Sequence, residues 1–309
     1  MSIYSAPAKI ILYGEHAVVY GKPAIAVPVP LLRAFAVTRS AEPGQGLIIR
    51  AIDSGHDLPV NLAAEVDNAL VEMAQRVLRH LNAPPPDTII ELRSDIPVAS
   101  GLGSGAAISA ALARAIAACC GYTLTNEDLN MLVYAAEQRY HGTPSGIDNT
   151  VIVYEMPILF RNQSDFEPFH ARVPLHILIG DTGVRAPTRE SVGDVRKLYE
   201  QNRSEIQKKL DAIGERVEIA RQALETGDVS AAGRLMVENH RLLRDLTVSS
   251  PELDRLVQAA LAVGAIGAKM SGGGRGGNMI ALVTPETQAQ VRQALLTAGA
   301  MHVWAAEVR

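Results

Sequence analysis

Three ionisable side chains stand where such groups are unusual. The segment APAKIILYGEHAVVYGKPAIA sets Lys9, Glu15 and His16 among apolar, strand-forming residues. A lysine inside a strand pattern either faces a cleft or lies on a solvated strand face. His16 is equally open to a structural, hydrogen-bonded reading. Further on, EQRYHGTPSGIDN carries Glu137 on a helical pattern and Asp148 in a loop of glycine and proline. By themselves Ser145, Gly146 and Asp148 read as a turn. Taken together, the set holds the parts that phosphoryl transfer asks for: positioning, charge neutralisation and a group for the acceptor's proton. Asp148 beside an acceptor hydroxyl, held by Lys9, meets the last need. Glu137 would hold Mg²⁺ against phosphates, because that ion takes oxygen ligands and keeps several waters.

Two glycine-rich segments supply a place for the phosphates. DIPVASGLGSGAAISAALARAIA runs from a strand-like stretch into a helix that is small and apolar on every side. A helix N-terminus offers unpaired N–H groups and the positive end of the dipole, and large side chains would hold an anion away from them. Gly101, Gly103, Ser104, Gly105 and Ala106 have the composition of such a cradle, or of a tight turn with close helix packing. The P-loop pattern fails because no lysine follows. The dinucleotide pattern matches at Gly101, Gly103 and Ala106, but the acids about 20 residues on, Glu127 and Asp128, open a helix and do not end a strand. The second cluster, Gly272 to Gly274 with Gly276 and Gly277, is either a flexible hairpin or the other side of one nucleotide site.

These residues need elements to position them. KIILYG, AIAVPV, RAFAVTR, LIIRAI and TIIELRS predict strands. Leu62, Val66, Leu70, Met73, Val77 and Leu81 predict a helix that Asn82 and Pro84 to Pro86 end. Helices follow over 108–120 and 125–140, the second opened by a capping box of Thr125 and Asp128, and VIVYEM predicts a strand. From about residue 170 come a strand, HILIGDTG, and helices over 190–224, 228–246 and 251–263, the last with Ser250 and Pro251 at N-cap and N1. A helix over 285–298 and a strand, HVWAAEV, close the chain. Strands and helices mix without a steady βαβ alternation, which predicts an α+β fold. The division is expected near 155–175, giving domains 1–165 and 166–309.

Composition narrows the classes. At 309 residues the chain exceeds the size at which one core stops growing, so two domains are expected. With 48% hydrophobic and 20% charged residues it reads as an ordinary soluble protein. A net charge of −4 argues against nucleic acid or an anionic membrane surface as partner. No apolar run approaches the roughly 20 residues of a membrane span, and no charged-then-apolar leader opens the chain. The adjacent Cys119 and Cys120 read as buried core thiols, so a reducing cytoplasm is the expected location.

In order and spacing, PAKIILYGEHAVVYGKPAIAV, DIPVASGLGSGAAISAA, HGTPSGIDNTV and KMSGGGRGGNMIALV resemble the signature regions of the GHMP family of small-molecule kinases. The resemblance spans nearly the whole chain, and the first and third segments look most like its mevalonate-phosphorylating branch. It implies an N-terminal domain like ribosomal protein S5 domain 2, a ferredoxin-like C-terminal domain and ATP in the cleft between them. It implies that residues 97–107, with Pro97, Leu102 and Ala107 at and within its limits, wrap the phosphates, and that Gly273 and Gly274 support them. Asp148 is then the base for the acceptor hydroxyl and Lys9 its assistant. Glu15 and His16 line the acceptor pocket, and Glu137, four residues before His141, binds magnesium. Beside the resemblance, Arg185 and Arg189 in DTGVRAPTRESV read as a helix lead-in or as a clamp for the substrate carboxylate. The family's second loop serine, a magnesium ligand, is here Gly105, so Ser104, a water or the phosphates must compensate. Arg275 stands where many members have glycine. The implied activity is ATP- and Mg²⁺-dependent phosphorylation of the primary hydroxyl of mevalonate, with a homodimer allowed for. A phosphomevalonate or sugar kinase, or a nucleotide-binding regulator without catalysis, are the other readings.

Overall fold

The computed structural model describes residues 1–52, 55–64, 67–141 and 144–308. By compactness these fall into two units, each built from separate stretches of chain. The first comprises Met1–Ala8, Val29–Pro97 and Gly103–Glu155, and the second Lys9–Pro28, Val98–Leu102 and Met156–Arg309.

In the first unit, β1 (Ser2–Tyr13) pairs with β2 (Ala24–Ser40), and both strands run on into the second unit. AIAVPV and RAFAVTR are thus one strand. β3 (Leu47–Ala51), β4 (His56–Pro59) and β5 (Thr88–Ser94) complete the order β4-β3-β5-β2. β5 lies antiparallel to β2 from Ala34↔Ser94 to Ser40↔Thr88, and parallel to β3. The helices are α1 (Ala69–His80), α2 (Ser104–Cys119), α3 (Asn126–His141) and α4 (Ile147–Tyr154). α2 is the central one, packed on α1, α3, α4 and β5. Its alanines 106, 107, 110, 111 and 113 are all buried, and their small side chains let neighbouring backbones come close.

Three helix predictions and one strand prediction need correction, and local capping or packing explains each. The helix expected from Leu62 begins at Ala69 instead. Asn61 Oδ1 accepts from Ala63 N, and Asn68 Oδ1 from Leu70 N and Val71 N, so two asparagines end a turn and start the helix. Val66 lies outside the described residues. α2 starts four residues before the expected Ile108, because Gly103 (φ 77°) caps it in the left-handed region. VIVYEM is mostly helix: Gly146 (φ 92°) opens α4, which buries Ile147, Val151, Ile152 and Val153. Packing on α2 and α3 there overrides β-branched preference. The capping hydroxyl at α3 is as expected, with Asp128 N donating to Thr125 Oγ1 at 3.1 Å and the hydroxyl returning to Asp128 Oδ2.

In the second unit the first residues of β2, Ala24–Ala26, pair with β6 (Ile158–Asn162), and β6 with β7 (Asp165–Pro168). β8 (Leu175–Asp181), α5 (Thr188–Gln201), α6 (Arg203–Thr226), α7 (Val229–Asp245), α8 (Pro251–Ala262), β9 (Gly267–Ser271), β10 (Asn278–Val283), α9 (Pro285–Thr297) and β11 (His302–Val308) follow. The antiparallel sheet has the order β11-β8-β10-β9. Its core joins Leu178, Met270, Met279 and Ala281 to Leu210, Ile213, Leu253 and Leu256 from the helices. The fourth correction is the helix expected over 190–224, which breaks at Asn202 (φ −142°, ψ 61°), whose amide turns to Glu205 Oε2. Ser250 and Pro251 open α8 as expected, with Leu253 N donating to Ser250 Oγ. No helix among the described residues is long and apolar enough to cross a membrane.

Candidate active site

The second unit gathers the charged residues at the start of the chain. From Ala6 onward β1 is buried, and Lys9 is only 2% exposed. Lys9 is therefore not on a solvated strand face. The strand is pinned through Tyr13 Oη, which donates to Ala232 O at 2.7 Å, and through Ser271 Oγ, which bonds both N and O of Ile11. Burial, helped by the charge of Glu15, pushes the Tyr13 hydroxyl well above the ordinary phenol range.

After β1 the chain turns sharply. Gly14 (φ 99°) is required there, since a Cβ would sit 2.5 Å from Pro23 O. His16, itself left-handed at φ 60°, precedes a single 3-10 turn, Ala17–Tyr20. Its Nε2–H donates to Gly273 O at 3.0 Å, and burial lowers its pKa to about 4. His16 is thus neutral at pH 7, with the proton on Nε2. Glu15 pairs with Lys269 of β9, whose Nζ also donates to Met270 O at 2.6 Å. Burial pushes the Glu15 carboxyl up and the Lys269 ammonium down, and their mutual attraction opposes both shifts.

The two glycine segments meet within this unit. Lys9 N donates to Leu102 O, and Asn278 Nδ2 to Ser100 O at 2.7 Å. A Cβ on Gly277 would lie 2.5 Å from Ser100 O, and one on Gly272 3.1 Å from Gly101 O. The loop after β9 is thus moulded onto residues 98–102. Gly274 gives its space to Val248 O, and Gly273 gives its to Thr188. Along the first loop, Ala99 (φ 55°), Gly101 (φ 82°) and Gly103 (φ 77°) alternate into the left-handed region, a pattern that turns successive N–H groups toward an anion. Arg185 Nη1 contacts both oxygens of the fully buried Asp181 at 3.2 Å.

The first unit holds the rest. Ser104 opens α2 and is 9% exposed, and Ala106 and Ala107 are buried. Gly105 faces α3: a Cβ on it would stand 3.2 Å from Glu137 Oε1, and Glu137 is 8% exposed. Asp148, expected in a loop, lies in the first turn of α4, half-buried. α4 is tied to α3 by Asn149 Nδ2, which donates to Asn130 Oδ1 at 2.6 Å, and Thr150 Oγ1 bonds back to Gly146 O. Gly142 and Thr143, which precede α4 in the sequence, lie outside the described residues. Lys9 and Asp148 belong to different units.

The comparisons with known proteins decide the family. Residues 68–155 match the GHMP kinases N terminal domain and residues 220–300 the GHMP kinases C terminal domain. The chain is 36% identical to the mevalonate kinase of Pyrococcus furiosus, covering 96% of this chain and 93% of that one. The chain belongs to the GHMP kinase family. The L. major mevalonate kinase, solved in complex with R-mevalonate, shares 30% identity and a TM-score of 0.83, covering 100% of this chain and 96% of that one. The Methanococcus jannaschii mevalonate kinase shares 26% identity and a TM-score of 0.86, covering 100% and 98%. The GHMP kinase fold, α+β in both domains, is therefore as the sequence implied, and the chain is an ATP-dependent phosphotransferase.

Within this GHMP kinase the structure gives Arg275 a definite place. Arg275 (φ 59°) donates through its backbone N–H to Val248 O, and its guanidinium pairs with Asp194 of α5. It fastens the glycine loop to a helix. Lys269 is the residue that sequence reasoning left without a role. Its signal was there, a lysine between Ala268 and Met270 just before the glycine loop.

Proposed function

We propose that this chain transfers the γ-phosphoryl group of ATP to the primary hydroxyl of mevalonate, giving 5-phosphomevalonate. The observation that carries the acceptor is the 36% identity, over 96% of the chain, to a mevalonate kinase. The buried charged cluster around Glu15 supports it, because a small polar acceptor needs fixed polar groups in an otherwise apolar pocket. The family domains are read as residues 1–165 and 166–309, and the cytoplasm as the location.

In this reading Pro97, Gly101, Leu102, Gly103, Ser104, Gly105, Ala106 and Ala107 carry the triphosphate. Left-handed turns and the α2 start present backbone N–H groups that no side chain shields. Gly273 and Gly274 support the phosphates from the loop after β9, whose Gly272 and Gly277 lie against residues 100–101. Asp148 accepts the proton of the primary hydroxyl as the oxygen attacks, and its place in the first turn of a short helix, tied to α3, fixes its direction. Lys9, dehydrated by burial, offers a stronger charge to the reacting groups than a solvated lysine would. Glu15 and His16 bind the acceptor. Arg185, with Nη1 held by Asp181, meets the substrate carboxylate through its remaining N–H groups.

The residues also fit Mg²⁺. One carboxylate, Glu137, faces the α2 start across Gly105, a position without a side chain, and Ser104 is the residue before it in the same turn. No group of three or more His, Cys, Asp or Glu suited to a metal occurs among the described residues. That suits an ion held by one or two carboxylates together with substrate phosphates and waters. Bound there, it would neutralise charge developing on the phosphates.

ADP release is the test, with ATP, Mg²⁺ and a panel of mevalonate, phosphomevalonate, galactose, homoserine and no acceptor. Release with mevalonate, and product phosphorylated at the primary hydroxyl, is expected. Release with another acceptor would overturn the substrate, and ATP binding without release would overturn catalysis.

A further inference from the structure

The Glu15–Lys269 pair is buried more deeply than a structural ion pair needs to be. Glu15 is 1% exposed and Lys269 0%. A buried pair of this kind adds little stability over apolar residues of the same volume, so its stabilising value does not explain it. The pair is also incomplete. Lys269 Nζ engages Glu15 Oε1, while Oε2, equally buried, has no hydrogen-bond partner among the described residues. Buried polar atoms without partners are rare and costly. A site that keeps one is built for a donor from outside.

The surroundings define that donor. Lys9, 2% exposed, adds a second positive charge that acts on both members of the pair. His16 is turned away to Gly273 O. Tyr13 Oη is spent on Ala232 O, and His240 on Met270 N and Asp254. The guanidinium of Arg275 is occupied by Asp194. Lys269 touches the Glu15 carboxylate directly, through Oε1. A carboxylate oxygen so placed accepts from a neutral O–H and repels another carboxylate.

We propose that Lys269 is a positioning residue for the acceptor. It keeps Glu15 ionised and immobile, so that Glu15 Oε2 accepts a hydrogen bond from a hydroxyl of the acceptor alcohol. This rests on the reading of Glu15 as an acceptor-pocket residue. It also sets the direction of entry, since the carboxylate end of a hydroxy acid is kept away from Glu15.

The test compares Lys269→Met, Glu15→Gln and the double variant, with KM for mevalonate, KM for ATP and the urea midpoint measured for each. Losing one charge-assisted hydrogen bond predicts that Lys269→Met raises KM for mevalonate about tenfold or more, with KM for ATP within about twofold. Without Lys269, burial favours the protonated Glu15, which ionises again as pH rises. KM for mevalonate in this variant therefore falls as pH rises, where the wild type stays flat. The double variant removes both charges together, so its urea midpoint recovers while its KM for mevalonate stays high. A double variant with wild-type KM for mevalonate would overturn the proposal, as would KM values for ATP and mevalonate that rise in parallel. Where Lys269→Met does not fold, Glu15→Gln and the double variant decide by the same two measurements. If the wild type phosphorylates a different alcohol, the mevalonate assignment fails. The same comparison, run with that alcohol, then decides the role of Lys269.

Discussion

Substitution of Gly105 by alanine and by serine separates space from chemistry at the cation site. Gly105 lies in the first turn of α2, and an added Cβ would stand 3.2 Å from Glu137 Oε1. That is a few tenths of an ångström inside ordinary contact. The atom it meets ends a side chain with three rotatable torsions, so the carboxylate, rather than the helix, gives way. Alanine in place of glycine gains up to about 1 kcal/mol in a helix interior and less in an end turn. Set against the small cost of moving Glu137, stability should stay within about 0.5 kcal/mol of wild type. The cation should register the change more strongly. Turning a charge-bearing ligand away weakens a contact of about 1.5 kcal/mol, which corresponds to roughly tenfold in half-saturating Mg²⁺. Serine moves the carboxylate by the same amount but adds a hydroxyl, a further oxygen ligand. Gly105→Ser should therefore need less Mg²⁺ than Gly105→Ala, and no more than wild type. The assay is ADP release titrated with free Mg²⁺ at fixed ATP, paired with Mn²⁺ binding measured by electron paramagnetic resonance in the presence of ADP. Identical metal dependence in all three proteins would refute the assignment of Glu137. A large loss of stability in the alanine variant would refute the claim that the carboxylate yields.

Asp148→Asn should lower kcat by about 10² to 10⁴, the usual reach of a general base, with ATP affinity little changed; near-normal kcat would remove Asp148 from the mechanism. His16 and His240 are both lowered to about 4 by burial, below the ordinary 6.5 of an unfolded chain. The unfolded chain then binds more protons between those values, so the stability these groups contribute is complete above about pH 6.5 and is lost as pH falls toward about 4. Each contributes up to about 3 kcal/mol. Urea midpoints should fall across that window, less steeply in His240→Gln, and an unchanged slope in that variant would exclude His240 as a source. Gly277→Ala places a Cβ 2.5 Å from Ser100 O at φ 71°. Left-handed strain and overpacking together predict a loss of about 2 to 4 kcal/mol and a raised KM for ATP; wild-type values for both would mean that residues 98–102 are not shaped by the loop behind them.

What could be read from the sequence was whatever a local rule decides. Ser250 and Pro251 mark a helix start by their own chemistry, and short apolar runs mark β8 and β11. The charged residues stood out because Lys9, Glu15 and His16 break an apolar pattern. Where tertiary packing decides, local rules misled. Nothing in VIVYEM shows that α2 and α3 wait to bury it as a helix, so β-branched preference pointed the wrong way and put Asp148 in a loop. Leu62 and Val66 fit a helical period, yet the side chains of Asn61 and Asn68 bind backbone N–H groups and place the boundary later. Lys269 could be seen but not interpreted. Its partner is more than two hundred positions away, and only the fold brings Glu15 to it.

Glycine is the residue on which sequence reasoning was most ambiguous, because it marks two physical situations with one letter. Gly274 and Gly277 would place a Cβ 1.9 Å from Val248 O and 2.5 Å from Ser100 O. The absent side chain there is replaced by protein, so these positions are about packing. At Gly101 a Cβ would come no closer than 3.4 Å to its neighbours, so crowding is not its main constraint. A left-handed φ of 82° is, and that conformation is what directs backbone N–H groups to one side. Gly105 belongs to neither kind: its backbone is helical, its Cβ position is nearly tolerable, and what it faces is a carboxylate. Packing glycines such as Gly277 should lose stability together with any nucleotide affinity, and Gly101 nucleotide affinity with little change in stability. Gly105 should fail by metal dependence. The pattern of failure, more than its size, therefore distinguishes a loop that cradles phosphate from one that is merely tight.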